Sequence, residues 1–155
     1  MKTKVTVEGI THEDLVNLLS TAIYGSSYLA ADYEEAIEYD EDDCYEDIMA
    51  NILLHDGKIL FTDYYAEGSA YGDLPHTLDE AENVTYSVTL KDVLAGLEKA
   101  ANGTFNIRMG GGYEAVEKEL ARDAFYALAN ESANFDLVLA DALMQIILFN
   151  EIIYG

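Results

Sequence analysis

The stretch LVLADALMQIILF, residues 137–149, is the most apolar part of this chain, and only Asp141 and Gln145 interrupt it. A helix needs about 20 apolar residues to span a bilayer, so this stretch is too short for that role. A helix that is apolar on nearly every face is normally buried. We therefore predict that a helix capped by Asn134 forms the centre of the domain, with Asp141 and Gln145 on one solvent-facing or hydrogen-bonded edge. A self-association surface at these two side chains is the alternative.

The segments that precede this helix predict further helices and a small sheet. Residues 28–39 fit a strand or a helix, and a strand is favoured because a helix would stack Glu34 on Glu38. Strands and helices do not alternate in a way that forces a parallel sheet. We predict a single α+β domain, residues 1–155, with four to five helices around a small, mainly antiparallel sheet. The predicted helices are His12–Tyr24, Asp43–Leu54, a third between Thr89 and Gly103, and Tyr113–Ala129; the predicted strands are Lys4–Gly9, Ile59–Tyr64, Val84–Leu90 and Phe105–Met109.

Length and composition predict an ordered cytoplasmic protein. A domain of 155 residues buries roughly 70% of the surface that its unfolded chain exposes. Half of the residues are hydrophobic and twelve are tyrosines, unlike the composition of disordered acidic chains. Cys44 is the only cysteine, which excludes an internal disulfide and suits a reducing compartment. Lys2, Lys4 and Glu8 interrupt the first segment, so no signal peptide is predicted.

The charge of the chain is unevenly distributed along the sequence. The formal net charge of −22 comes from 30 acidic and 8 basic residues, and no lysine or arginine lies between Lys4 and Lys58. A surface that is charged for solubility mixes both signs, because like charges repel. The connection at residues 65–83 is also acidic, and we predict that it is a long inserted loop. The candidate partner-binding residues are Asp32, Glu34, Glu35, Glu38, Asp40, Glu41, Asp42 and Asp43, with Glu67 and Asp73 from the loop.

This charge pattern leaves two interpretations open. An acidic run is often an ordinary solvated face, and Asp42 and Asp43 would also favour the N-terminal dipole of the second helix. The net charge argues against direct binding of nucleic acid, because phosphates repel so negative a chain and phosphate contacts need lysine or arginine. Closely spaced carboxylates instead resemble the field of a polyanion, which would steer the chain onto a basic nucleic-acid groove of another protein. In the second interpretation the protein is therefore a DNA mimic. The sequence also leaves open whether the chain forms a homo-oligomer.

No motif in the sequence predicts catalysis. Three glycines at residues 110–112 precede a helix, but Glu114 would repel a phosphate there, so we predict a structural turn. Residues 40–51 lack the central glycine and final glutamate of an EF-hand, although adventitious cation binding stays open. Acidic neighbours suppress the thiolate of Cys44, which is predicted to be an ordinary helix-start cysteine. We predict no catalytic, cofactor or metal site, since the histidines lack zinc-site spacing; they are His12, His55 and His76.

Three blocks of this chain resemble an uncharacterised family of small acidic proteins from bacteriophages and prophages. The blocks are Ala22–Gly25 followed by Tyr28, Val84–Leu97, and the C-terminal ADALMQIILFNEIIYG, residues 140–155. The resemblance assigns no activity. It implies an inhibitor of host nucleic-acid-handling defence, of the anti-CRISPR or anti-restriction type, acting on a basic host protein. Two alternatives remain: a phage assembly or housekeeping protein whose charge serves solubility, and an enzyme whose site is assembled from scattered residues.

Overall fold

The computed structural model describes residues 4–25, 28–34, 44–107, 114–130 and 135–154. Within these ranges the chain has five helices and six strands, which confirms the predicted α+β class. In chain order the elements are α1 (His12–Gly25), β1 (Leu29–Asp32), α2 (Tyr45–Leu54), β2 (Lys58–Asp63), β3 (His76–Leu78), β4 (Val84–Thr89), α3 (Leu90–Asn102), β5 (Asn106–Ile107), α4 (Glu114–Ala129), α5 (Leu137–Phe149) and β6 (Glu151–Ile152).

Helix α5 lies at the centre of the fold, as its composition predicts. Its residues from Ala142 to Phe149 are all buried, and it packs against α1, α3 and α4. The crossing with α3 is close, because a Cβ added to Gly96 would lie 2.7 Å from the Cα of Ile147. Glycine at this position therefore permits the two helix backbones to approach each other.

The main sheet has four strands in the order β1-β2-β4-β3, and every neighbouring pair is antiparallel. The two central strands, β2 and β4, pair with Phe61 opposite Tyr86 and Asp63 opposite Val84, as the predicted antiparallel sheet requires. Alternate residues of β2 and β4 face the core, as the period of a strand requires. The short strands β5 and β6 pair in parallel and join the chain after α3 to the tail after α5.

The ends of the helices agree in part with the sequence. The third helix lies between Thr89 and Gly103 as predicted: Thr89 and Asp92 form a capping box at its start, and Gly103 ends it with a φ of 68°. Cys44 is the exposed N-cap residue of α2. The predicted cap of α5 at Asn134 is wrong: the Asp136 carboxylate accepts the N–H of Leu139 at 3.1 Å and occupies that position.

The predicted strand Lys4–Gly9 is also wrong. Residues 4–11 are neither helix nor strand, and side chains of α3 take the hydrogen bonds that a neighbouring strand would have supplied. The N–H and carbonyl of Val5 pair with the side-chain amide of Asn102, both at 2.8 Å, and the N–H of Val7 donates to Glu98 Oε1 at 3.0 Å. The alternation of Val5 and Val7 therefore marks a segment that lies along a helix.

The acidic connection at residues 65–83 contains a strand of its own. Strand β3 pairs with β4, with His76 opposite Tyr86, and the Pro75 carbonyl accepts the N–H of Ser87 at 2.9 Å. The connection thus extends the sheet by one strand. For the ambiguous segment 28–39, β1 confirms a strand over Leu29–Asp32, and residues 35–39 lie outside the described ranges.

Candidate functional site

The four predicted acidic residues that the structure describes lie in two separate parts of the chain. Asp32 ends the edge strand β1 and is followed by Glu34, whereas Glu67 and Asp73 lie in the segment that carries the other edge strand, β3. All four side chains are exposed. The edges are three strand spacings apart, roughly 14 Å. The remaining candidates lie outside the described residues: Glu35, Glu38, Asp40, Glu41, Asp42 and Asp43.

The β1 edge combines its carboxylates with two tyrosines. The hydroxyl of Tyr45 donates to Asp32 Oδ1 at 2.9 Å and to the Ala31 carbonyl at 3.0 Å. The rings of Tyr33 and Tyr45 are in contact, with centroids 5.2 Å apart. Burial, and then the hydrogen bond to Asp32, raise the pKa of the Tyr45 hydroxyl, which therefore stays a neutral donor. The start of the acidic run is thus fixed against α2.

Residues 64–82, which connect β2 to β4, carry further exposed acidic and aromatic side chains, and we call this segment the 64–82 surface. Tyr64, Tyr65 and Leu78 are 54%, 55% and 56% exposed, although each is a large hydrophobic side chain. No lysine or arginine occurs between Lys58 and Lys91, so the sequence around this surface supplies no cation. Tyrosine is enriched at the centres of protein interfaces. The exposed carboxylates of this surface are Glu67, Asp73, Asp79, Glu80 and Glu82.

Two glutamates of the 64–82 surface have strained backbones and lie in adjoining segments of the chain. Glu67 and Glu82 have left-handed backbone conformations, with φ values of 50° and 64°. Such a conformation costs of order 1 kcal/mol or more in a residue other than glycine. The N–H of Gly68 donates to the Glu82 carbonyl at 2.8 Å and holds the two backbones together. Strain of this kind is concentrated at functional sites, which marks these segments as a candidate.

The neighbouring turn at residues 79–83 is organised by one carboxylate. Asp79 Oδ1 accepts the backbone N–H groups of Ala81 and Asn83, both at 2.9 Å, and the Asn83 amide donates to Asp79 Oδ2 at 3.1 Å. The backbone hydrogen bond from Asn83 is the main cause that lowers the pKa of Asp79. This carboxylate therefore stays charged at neutral pH, beside Glu80 and Glu82.

A buried network of tyrosines and carboxylates supports the 64–82 surface from beneath. Asp63, at the end of β2, accepts the Tyr154 hydroxyl and the N–H of Tyr65, both at 2.8 Å. The Tyr28 hydroxyl donates to Asp141 Oδ1 at 2.6 Å. The rings of Tyr28 and Tyr154 lie 4.6 Å apart and those of Tyr28 and Tyr65 6.0 Å apart. These contacts join β1, β2, α5 and the C-terminal tail.

Gln145 completes this buried network on α5. Its side-chain amide donates to Asp141 Oδ2 at 2.7 Å and to the Tyr154 carbonyl at 3.0 Å. Its Oε1 accepts the N–H groups of Ile153 and Tyr154 at 2.8 and 2.9 Å. The predicted hydrogen-bonded edge at Asp141 and Gln145 is therefore confirmed, and it faces the C-terminal tail.

The protonation states in the network favour a structural role. Burial is the main cause that raises the pKa of the Tyr28 and Tyr154 hydroxyls, and the adjacent Asp141 and Asp63 carboxylates raise it further. Both tyrosines are therefore neutral hydrogen-bond donors at neutral pH. Burial also raises the pKa of Asp63, although the hydrogen bonds from Tyr65 and Tyr154 act in the opposite direction.

Sequence reasoning did not single out Asp63, Tyr64, Tyr65 or Tyr154. The alternation of β2 could have identified Asp63, because a strand that places Ile59 and Phe61 inward also places residue 63 inward. No local pattern could have paired Asp63 with Tyr154, which is 91 positions away. Tyr64 was assigned to a strand, but β2 ends at Asp63 and leaves Tyr64 exposed.

The histidines, Cys44 and the carboxylates considered for metal binding or nucleophilic chemistry do not form a cluster in the described part of the chain. No three His, Cys, Asp or Glu side chains within it are grouped so that they could hold a metal ion. His12 begins α1, and its Nε2 lies 3.8 Å from Asp47 Oδ1. Cys44 is exposed at the start of α2.

Comparison with known proteins adds no relative. The chain matches no family model, no curated protein and no solved structure. The likeness to small acidic phage proteins therefore stays a prediction. Among the helices that the structure describes, none has the length and apolar character needed to cross a membrane.

Proposed function

We propose that this protein acts by binding a basic protein partner through exposed acidic and tyrosine side chains, chiefly those of the 64–82 surface. The observation that carries the proposal is the exposure of Tyr64, Tyr65 and Leu78 among carboxylates that no lysine or arginine pairs with in the described chain. Buried aromatic anchors supply most of the affinity of an interface. Surrounding charges steer the approach of an oppositely charged partner. The two features together suit recognition of a basic surface.

The partner that fits this chemistry best is a protein with a nucleic-acid-binding groove. Such a groove is lined with lysine and arginine, and closely spaced carboxylates compete for it. The strained backbone at Glu67 and Glu82 supports this proposal, because strain of this kind is concentrated at functional sites and a backbone hydrogen bond joins the two segments that carry these glutamates. We therefore propose a phage-encoded inhibitor of host defence, of the anti-CRISPR or anti-restriction type.

A phage assembly or housekeeping protein is the second candidate. The exposed apolar area of Leu78 and Tyr64 favours it, since an interface between phage proteins could use these side chains without a basic partner. In that case the acidic surface would serve solubility alone. The two candidates differ in their dependence on salt.

Affinity purification from infected cells, followed by competition between the captured partner and DNA, tests the proposal. The key variant is the triple substitution Glu67→Lys, Glu80→Lys and Glu82→Lys, which reverses charge on the 64–82 surface. We expect it to abolish capture, and we expect wild-type capture to be lost at roughly 0.5 M salt, where exposed charges are strongly screened. A second variant reverses the acidic run and carries Glu34→Lys, Glu35→Lys, Glu38→Lys and Asp40→Lys.

The matched control reverses three exposed carboxylates elsewhere: Glu8→Lys, Glu119→Lys and Asp123→Lys. It changes the net charge by the same amount as the key variant, so it separates a local site from a global charge effect. Capture by this control, together with loss by the key variant, supports the 64–82 surface. Capture that survives both the key variant and high salt overturns the mimic and supports the assembly candidate, which Tyr64→Ala should then weaken.

A further inference from the structure

A cleft of about 630 Å³ lies where the N-terminal segment, α3 and α4 meet, and its walls are positively charged. Lys4 comes from the N-terminal segment, Lys99 from α3 and Arg122 from α4. These are three of only 8 basic residues in a chain with 30 acidic ones. Their convergence on one cleft separates it from both acidic edges of the sheet.

The three cations of the cleft have no carboxylate partner within the described part of the chain. Surface ion pairs contribute little to stability, so water can solvate these three cations in the free protein. Lys4, Lys99 and Arg122 therefore remain available to an anion that enters the cleft.

The other residues that line the cleft include hydrogen-bond donors and a single carboxylate that would repel an anion. Glu98 is the one carboxylate among them, and its Oε1 already accepts the N–H of Val7 at 3.0 Å. The Asn102 side chain is occupied by both polar groups of Val5, at 2.8 Å each. The hydroxyls of Thr104 and Tyr126 lie on the lining without a hydrogen-bond partner in the described residues.

The same contacts that replaced the predicted N-terminal strand build this cleft. Asn102 and Glu98 fix the backbone at Val5 and Val7 on α3, and Lys4 is carried to the rim by the residue next to it. Three separate parts of the chain therefore form the cleft: the N-terminal segment, α3 and α4.

We propose that this cleft binds a small phosphate-bearing ligand of about nucleotide size. The guanidinium group of Arg122 matches the geometry of a phosphate, and the two lysines supply further charge. The partly exposed ring of Tyr126 offers a planar surface on which a base can stack. Ligand sites of this kind have volumes of roughly 300–1,000 Å³, a range that includes the cleft. The site is separate from the proposed protein-binding surface.

Isothermal titration calorimetry of the full chain with AMP, adenosine and inorganic phosphate tests this site. We expect AMP to bind, and Arg122→Gln to weaken it about tenfold through the loss of a charge-assisted hydrogen bond. Adenosine should bind at least about tenfold more weakly than AMP, because it lacks the charged group. Tighter binding of AMP than of inorganic phosphate would support a ligand of nucleotide size, and equal binding would overturn the proposed contact between a base and Tyr126.

Lys58→Gln is the matched control, since it removes one exposed positive charge at the start of β2, outside the cleft. It should bind AMP as the wild type does. Arg122 is exposed, so Arg122→Gln should unfold at the same urea concentration as the wild type. The proposal is overturned if neither AMP nor phosphate binds, if adenosine binds as tightly as AMP, or if Arg122→Gln and Lys58→Gln have equal effects.

Discussion

Buried and exposed carboxylates of this protein have opposite surroundings. Asp63 and Asp141 lie in the network beneath the sheet edge, where tyrosine hydroxyls and amide groups donate hydrogen bonds to them. Glu67 and Asp73, a short distance along the chain, are exposed and have no such donors among the described residues. Asp63 is buried and Asp141 is half-buried, and a carboxylate removed from water is tolerated only when it is hydrogen-bonded, so the first pair serves the fold. The second pair is free to serve a partner.

The largest effect on stability should come from Gln145, which is 1% exposed and connects α5 to the tail. Gln145→Leu keeps the volume but leaves the N–H groups of Ile153 and Tyr154 without an acceptor. An unsatisfied buried group costs about 1–3 kcal/mol, so we expect a loss of about 3 kcal/mol in the free energy of unfolding. Urea denaturation followed by circular dichroism measures it.

Met144→Leu, at the neighbouring buried position, is the control for disturbed packing. It changes shape without removing a hydrogen bond and should cost less than about 1.5 kcal/mol. Equal losses for Met144→Leu and Gln145→Leu would show that packing, and not the buried polar network, holds the tail.

Asp63 should give the next largest effect, and its two replacements should differ. Asp63→Leu leaves the Tyr65 N–H and the Tyr154 hydroxyl without an acceptor, and we expect a loss of about 2 kcal/mol. Asp63→Asn retains an acceptor for Tyr65 and removes the buried charge, so it should be at least as stable as the wild type at neutral pH.

The dependence of stability on pH shows whether ionised Asp63 stabilises or destabilises the fold. Burial raises the pKa of Asp63 in the folded state above its ordinary value of 3.8. The folded state therefore holds the proton more tightly, and ionisation of Asp63 removes stability as pH rises from 3.8 through the folded-state pKa. Urea titrations at several pH values should show that the free energy of unfolding of Asp63→Asn increases relative to that of the wild type as pH rises through this range. A constant difference between the two proteins would contradict the raised pKa.

Local signals in the sequence were sufficient for much of the fold. The apolar stretch of α5, the Thr89–Asp92 capping box and the alternation of β2 and β4 each specify their element within a few residues, and each is confirmed. The strand at residues 4–9 failed because its hydrogen-bonding partners, Glu98 and Asn102, are more than 90 positions away.

The candidate sites were less accessible to sequence reasoning. Charge alone identified Glu67 and Asp73, but it could not separate the β1 edge from the 64–82 surface, because that separation follows from the strand order. Sequence reasoning also missed the cationic cleft, because its residues come together only in the folded chain. Lys4, Lys99 and Arg122 are distant in sequence, and only the packing of α4 and the N-terminal segment on α3 brings them together.

The smallest effect on stability should come from the exposed carboxylates. Glu67→Gln and Asp73→Asn remove charge without removing a hydrogen bond found in the described chain, so the free energy of unfolding should change by less than about 0.5 kcal/mol. The same double variant should weaken capture of a basic partner and reduce its dependence on salt, because each lost charge lowers electrostatic steering. Urea denaturation and the salt series of the capture experiment measure the two effects. A loss of more than about 1 kcal/mol would mean that these carboxylates, like Asp63, hold the fold. The contrast between the buried and exposed groups would then disappear.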